Sequence, residues 1–469
     1  MSGSSTPWWG VADVTDPYDP EALLGRAEDA VRRLVSLGAD CAEAYVSAGT
    51  AVGVQVEKDV VTYTTGDSEG GMGLRVVKDG RLGFAYTSDP ARLEEAGGRA
   101  LDLTRLAPRT GYVLPSGGDA YVPVAGLDDP ALVSMEPGEA VEMAGVLVEA
   151  AKAVHEGVTV GSGGVFLGHG SVAIANSEGI SIAAHGTSLT AYAYVVLKDT
   201  TVSTGFEFLS SRTRDVDPVL IGEEAGRMAR NAQGARPMEE GGEMTVVFRP
   251  TCFAELLEHT LLPSVIGDAA QRGESAFSGR DGERVATKAL TVVDDPTIAG
   301  GLSSGRADDE GVPSRRNVVI ENGVLKGYLY DTYTANHYGV ETTGNATRGG
   351  GGGWKSQPDA DTTNVALYLP SMGDMEDLVA EVDRGVLVHD LMGCHTSNRS
   401  TLDFSLNSTM PYEIRNGELL GVRSPIMLGG NLGKVLEQFL GAGGKARQCP
   451  GGSNVILPWV AAEGVTVTP

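Results

Sequence analysis

Residues 244–268 read MTVVFRPTCFAELLEHTLLPSVIGD. The run Met244–Phe248 is apolar and β-branched, which suits a buried strand, and Pro250 ends it. A helical pattern follows within Thr251–Leu262 and is expected to stop at Pro263, because proline offers no N–H and its ring collides with the preceding turn. Just upstream, Pro237 and the polar turn EEGGE carry no periodicity. A strand and helix that restart after such a turn place a domain boundary there, giving units 1–237 and 238–469. A chain of 469 residues is long enough for two or three domains.

Upstream of the boundary, Asp19-Pro20 precedes EALLGRAEDAVRRLVSLG, a helix with a capping residue, a proline suited to its first turn and a stop at Gly38. Three strand-like runs follow: CAEAYVSAG, TAVGVQVEK and VVTYTT. LRVVKDGRLGFAYTS reads as a type I′ hairpin around Asp79-Gly80. Further helices are expected after Ser88-Asp89-Pro90, within Glu139–His155, and from about Pro218 to Ala235. Between the last two, SVAIANSEGISIAAHGT reads as a hairpin and LTAYAYVVLKD as a long strand. This hairpin echoes the first only faintly, and the reading is that the echo is not a structural repeat.

Downstream, NVVIENGVLKGYLYDTYTA and YEIRNGELLGVRS turn at Asn-Gly pairs. Helices within MEDLVAEVDRG and NLGKVLEQFLG interrupt a mostly β region. The expected fold class is α+β: an N-terminal α/β domain that mixes strands and helices, then a largely antiparallel C-terminal β domain with a few helices.

The net charge of −26 and the lack of a basic stripe argue against nucleic-acid binding. Four cysteines, Cys41, Cys252, Cys394 and Cys449, are too sparse for a disulfide framework. The opening MSGSSTPWWGVADVTDP has no basic start or apolar core of a leader, and no apolar stretch is long enough to span a membrane. The expected location is cytoplasmic, with no membrane partner.

Few residue groups here suit chemistry. A zinc site needs converging ligands, yet one turn beyond Glu258-His259 stand Leu262 and Pro263, which cannot bind metal. In HDLMGCHTSN, His389, Cys394 and His395 suggest metal or thiol chemistry. Cys394 and His395 would face opposite ways on a strand, so they converge only if Gly393 bends the chain. Cys449 lies in the turn-rich RQCPGGSN. The glycine run 349–353 precedes Trp354-Lys355-Ser356, but a phosphate loop needs glycine directly before lysine, so nucleotide binding is rejected. That run instead suits close backbone approach near a cleft or partner. The acidic groups Asp294-Asp295 and Asp308-Asp309-Glu310 lack calcium-loop spacing and read as turns or caps.

Taken in order, segments of the second half resemble the TldD/PmbA family, also known as modulators of DNA gyrase. They are GESAFSGRDGERVATKALTVVDDP, DDEGVPSRRNVVIENGVLKGYLYDTYTANHYGVETTGNATRG, RGVLVHDLMG, the DFS at Asp403–Ser405, YEIRNGELLGVRSPIMLGGNLGKVLEQF and VILPWVAAEGVTV. The first half resembles it more loosely, through GADCAEAYVS and GMGLRVVKDGRLGFAYTS. TldD-type members carry His-Glu-x-x-x-His on the helix after the first strand of the C-terminal domain, and a cysteine near the C-terminus, which together bind catalytic zinc. Aligned without gaps, those positions become Glu258, His259 and Pro263 here, and Cys449 lies in the region of the cysteine. The resemblance therefore implies a TldE (PmbA) type chain with no cofactor of its own and no catalytic residue. Zinc is expected in a TldD-like partner, in a heterodimer that encloses an extended peptide or a peptide-like amide substrate. In that partner the zinc would polarise the scissile carbonyl. Two other readings stay open. One is a self-sufficient amide hydrolase that uses Cys394, Cys449 or His259; the other is a peptide-binding module without hydrolysis.

Overall fold

Asp19 accepts a hydrogen bond from the Glu21 N–H at 3.1 Å and so starts the helix Pro20–Ser36, whose buried stripe is Leu23, Ala27, Ala30, Val31 and Leu34. The structure, a computed structural model, describes residues 18–349 and 352–469. The segment MSGSSTPWWGVADVTDP, read above for a leader, and two glycines of the 349–353 run lie outside the described residues.

Six strands form the first sheet: β1 (Cys41–Glu57), β2 (Val60–Lys78), β3 (Arg81–Thr87), β4 (Val158–Asn176), β5 (Ser181–Lys198) and β6 (Val202–Ser211). Their order is β3-β2-β1-β4-β5-β6, and every neighbouring pair is antiparallel. The Asp79-Gly80 hairpin forms as expected, with φ of 52° and 69°. The strands are longer than their sequence suggests. CAEAYVSAG and TAVGVQVEK are one strand, and VVTYTT runs through GDSEGGMG into LRVVK. Two of the glycines that look like a break serve close packing: a Cβ on Gly71 would collide with the Trp354 ring, and one on Gly73 with the Trp354 carbonyl.

Helix Pro20–Ser36 packs over the centre of the sheet on β1 and β4 and Leu93–Thr104 on β2 and β3, while Pro137–Ala153 lies on β4 and Pro218–Asn231 on β5 and β6. Helix, three strands and helix thus occur twice, and β1 and β4 meet antiparallel at the centre. This corrects the expectation that the hairpin echo is no structural repeat. What recurs is element order and apolar period rather than residue identity, so the sequence carries only a trace of it.

The second sheet, of twelve strands, is mixed. At its centre β7 (Gly242–Phe248) runs antiparallel to the strand Asn454–Thr468 and parallel to Arg384–Val388. The Asn322-Gly323 and Asn416-Gly417 turns hold positive φ at both residues, as their sequences require. The whole is an α+β fold. No helix among the described residues is long and apolar enough to cross a membrane.

A chain of buried charges joins the two sheets. Arg75 on β2 donates to Glu43 on β1 through Nε at 2.9 Å and through Nη2, and to Glu310 at 2.8 Å. Arg348 donates to Glu43 at 2.9 Å, and the Tyr112 hydroxyl donates to Glu310 at 3.0 Å. The acidic run Asp308–Glu310 does form a turn, in which Asp308 accepts from the backbone N–H groups of Glu310 and Val312, but Glu310 leaves it to enter this network.

Candidate functional site

The helix after β7 covers Pro250–His259, not the full span to Leu262. It breaks at Thr260, with φ −131° and ψ −73°, and Pro263 falls inside the next short helical turn, Leu261–Ser264. The sequence places the stop at Pro263; the chain breaks one turn earlier because the proline ring excludes the carbonyl of His259, four residues back. Ser264 Oγ, bonded to the Thr260 carbonyl at 2.7 Å, satisfies part of the broken ladder.

Two clefts of about 360 Å³ each flank this helix, and Glu258 lines both. The first lies against β6 and is lined by Phe206, Phe208, Met228, Arg249, Glu255, His389, Asp390 and Cys449. The second holds His259, Pro263, Asp268, Arg272, Asp361 and Arg399. At the floor of the first, Glu207 of β6 pairs with Arg249, the residue before the helix, and with Arg447 at 2.7 Å. Burial alone would raise the Glu207 carboxyl, but the two guanidiniums outweigh it and hold its pKa below the ordinary value. Arg447 also lies over the Phe208 ring, 5.0 Å from its centroid. His389 is wedged against Tyr412 and Trp459, and burial together with the Arg249 charge lowers its pKa to about 3, so the imidazole is neutral.

The residues at the zinc-helix positions do not converge on a metal. Glu258 Oε1 accepts from the Gly452 N–H at 2.6 Å, and the turn at Gly451 lies so close that a Cβ there would collide with the carboxylate. Pro263 has no donor atom. Cys449 is buried, its Sγ directed to the Arg447 carbonyl at 3.8 Å, and burial pushes its thiol pKa up to about 12. Zinc requires a thiolate and several converging ligands. Among the described residues no group of three or more His, Cys, Asp or Glu could hold a metal ion. These residues therefore do not fit the zinc that TldD-type members are expected to bind at these positions.

Gly393 does bend the chain, with φ 96°, yet Cys394 and His395 still diverge. Cys394 is fully buried and its thiol is pushed up to about 12 by burial and by the Glu255 charge, while His395 is exposed, its ring 6.4 Å from that of His259. Both candidate thiols are held protonated at neutral pH, the reverse of what attack requires. Lys355 of the glycine-rich segment pairs with Glu69 and lies 4.9 Å from the Trp354 ring, which itself packs on Tyr86. Arg249 and Glu207 were missed in the sequence; they stand 42 residues apart, and nothing local to either marks the pairing.

Residues 241–469 match the PmbA/TldA metallopeptidase C-terminal domain, residues 42–104 match its domain 1, and residues 130–233 match its central domain. An uncharacterised protein of Methanocaldococcus jannaschii is 29% identical over 398 residues, covering 82% of this chain and 86% of the relative. The metalloprotease PmbA of Escherichia coli O157:H7 is 25% identical, over 94% of this chain and 96% of its own. The crystal structure of TldE from Thermococcus kodakarensis superposes with a TM-score of 0.88 at 27% identity, covering 95% of this chain and 100% of that one.

Proposed function

The chain belongs to the PmbA/TldD metallopeptidase family and resembles TldE, and from this premise we propose that it is the metal-free subunit of a heterodimeric peptide or amide hydrolase whose zinc is held by a TldD-like partner. One observation carries the reading. At the helix positions where TldD-type members place their ligands, Glu258 is bonded to the Gly452 backbone and Pro263 has nothing to offer. A carboxylate bound to a backbone N–H completes the turn there and leaves no ligand set to assemble.

On this reading the chain contributes cleft wall and substrate channel, and the substrate is an extended peptide or a peptide-like amide. The four free cysteines, three of them buried, suit a reducing cytoplasm. The self-sufficient hydrolase is disfavoured by the protonation of Cys394 and Cys449.

Metal analysis and peptide cleavage, run on the chain alone and on the chain co-purified with a His-Glu-x-x-x-His partner, test the proposal. Little zinc and little cleavage are expected alone, with both appearing in the mixture. Stoichiometric zinc or unaided cleavage by the isolated chain would overturn it.

A further inference from the structure

Four carboxylates line the cleft against β6, and their surroundings differ. Glu207 is shared by Arg249 and Arg447, two guanidiniums on one carboxylate. Asp390 is saturated: it accepts from Ser408 Oγ at 3.0 Å, from the backbone N–H groups of Thr409 and Met410 at 3.0 and 3.1 Å, and from Thr409 Oγ1 at 2.5 Å. Glu255 and Glu258 stand one turn apart on the same helix. Glu258 gives one oxygen to Gly452, and Glu255, whose pKa burial raises above the ordinary glutamate value, has the Cys394 thiol as a partner. Among the described residues neither Glu255 nor Glu258 forms an ion pair with an arginine or lysine, although Arg249 lines the same cleft.

Another part of the cleft lining is aromatic. Phe206 and Phe208 extend from β6, their ring centroids 5.8 Å apart. Phe206 is 44% exposed and continues a row of rings, with Tyr192 at 6.2 Å and Phe166 stacked on Tyr192 at 6.1 Å. Along β4 and β5 these rings alternate with Val165, Leu167, Ala191 and Ala193, which pack under the helices, so the row lies on the opposite face of the sheet and leads into the cleft.

We propose that this cleft binds the protonated amine of a ligand whose neighbouring group is apolar or aromatic. The ammonium meets Glu255 and Glu258, and the apolar neighbour lies against Phe206 and Phe208. An ammonium needs only acceptors, not a tetrahedral ligand set, so a helix unsuited to zinc still suits an organic cation. Charge-assisted hydrogen bonds to two carboxylates favour it, and a chain of net charge −26 draws it in. A peptide N-terminus and a lysine side chain share this chemistry. The proposal needs no second subunit, so it is tested on the chain alone and stands apart from the division of labour proposed above.

Calorimetric titration of the full chain with three tetrapeptide amides decides it: phenylalanyl-alanyl-glycyl-alaninamide with a free N-terminus, its N-acetylated form, and the N-acetylated form with lysine in second place. At least one amine-bearing peptide is expected to bind, and the acetylated peptide without lysine about tenfold or more weaker, the loss expected when a charge-assisted contact goes. Which amine-bearing peptide binds identifies the source. Glu255→Gln is expected to weaken that binding by about tenfold while leaving the melting curve in place. Equal binding of the fully capped peptide, binding by none of the three, or an unchanged affinity in folded Glu255→Gln would overturn the proposal.

Discussion

Two clusters of buried charge join the β1–β6 sheet to the second sheet, and they are built differently. The Glu43–Arg75–Glu310–Arg348 network is sealed: the side chains of Arg75, Glu43, Glu310 and Arg348 are at most 2% exposed, and two guanidiniums balance two carboxylates. The Glu207–Arg249–Arg447 cluster opens onto a cleft, with Arg447 22% exposed, and shares one carboxylate between two guanidiniums. A sealed network has no water to compensate for a missing member, whereas an open one has some. The largest effect should therefore fall on the sealed side. Arg75→Met leaves buried Glu310 without a guanidinium and Glu43 with Arg348 alone, and should cost about 3–5 kcal/mol in urea unfolding. A loss below that of the cleft-side variant described next would reverse the comparison.

Glu207→Gln leaves Arg249 and Arg447 without their shared carboxylate. Solvent reaches Arg447, so the expected loss is smaller, about 2–3 kcal/mol by the same measurement. The two regions should also answer acid in opposite directions. Beside the sealed network, burial and the Glu310 charge raise Asp331 to about 6; elsewhere in the second half, burial raises Asp294, which is bonded to Asn345 and Thr363, to about 6. Both sit above the ordinary aspartate value of about 3.9, so between roughly pH 4 and 6 the folded state binds more protons than the unfolded one. Their cost is absent at the low end and builds as pH rises through 6. Glu207 is depressed, so its contribution is full above about pH 4.3 and is lost as pH falls through its folded value. Unfolding free energy should then rise by on the order of 2 kcal/mol from pH 7 to 5 and fall again under stronger acid. Asp294→Asn should remove part of the rise. A stability that climbs steadily from pH 5 to 7 would contradict the assignment.

The sequence shows what is local. Asn-Gly and Asp-Gly turns, the Asp19 cap and the strand–helix restart at residue 244 each rest on neighbours in the chain, and each is found. The positions at Glu258 and Pro263 are legible for the same reason: a donor set is read by counting along one helix. The clusters that join the sheets are not. Arg75 meets partners 32 and 235 residues away, and Arg348 meets Glu43 across 305, with no periodicity to announce the pairing. The length of β2 was hidden for another reason. Its glycines signal a turn by composition, and Trp354, on the helical turn Gly353–Lys355, explains Gly71 and Gly73 as a place where two surfaces nearly touch.

The smallest expected effect bears on the helix between the two clefts. Pro263→His supplies an imidazole at the vacant ligand position, and if that position alone kept zinc away, the variant should take up metal. The geometry argues otherwise. Pro263 sits in the turn Leu261–Ser264, beyond the break at Thr260, while Glu258 is turned to Gly452 and Cys449 is a buried thiol that must lose its proton before it can ligate. One new imidazole would thus stand beside a carboxylate already in use and a sulfur held neutral. Stability should change by less than about 1 kcal/mol, as for a partly exposed site with no lost contact. Zinc measured after dialysis should stay substoichiometric. Stoichiometric, tightly held zinc in Pro263→His alone would mean that Glu258 releases the turn on demand, and the helix would have to be regarded as a metal site lacking one ligand rather than as a wall shared by two clefts.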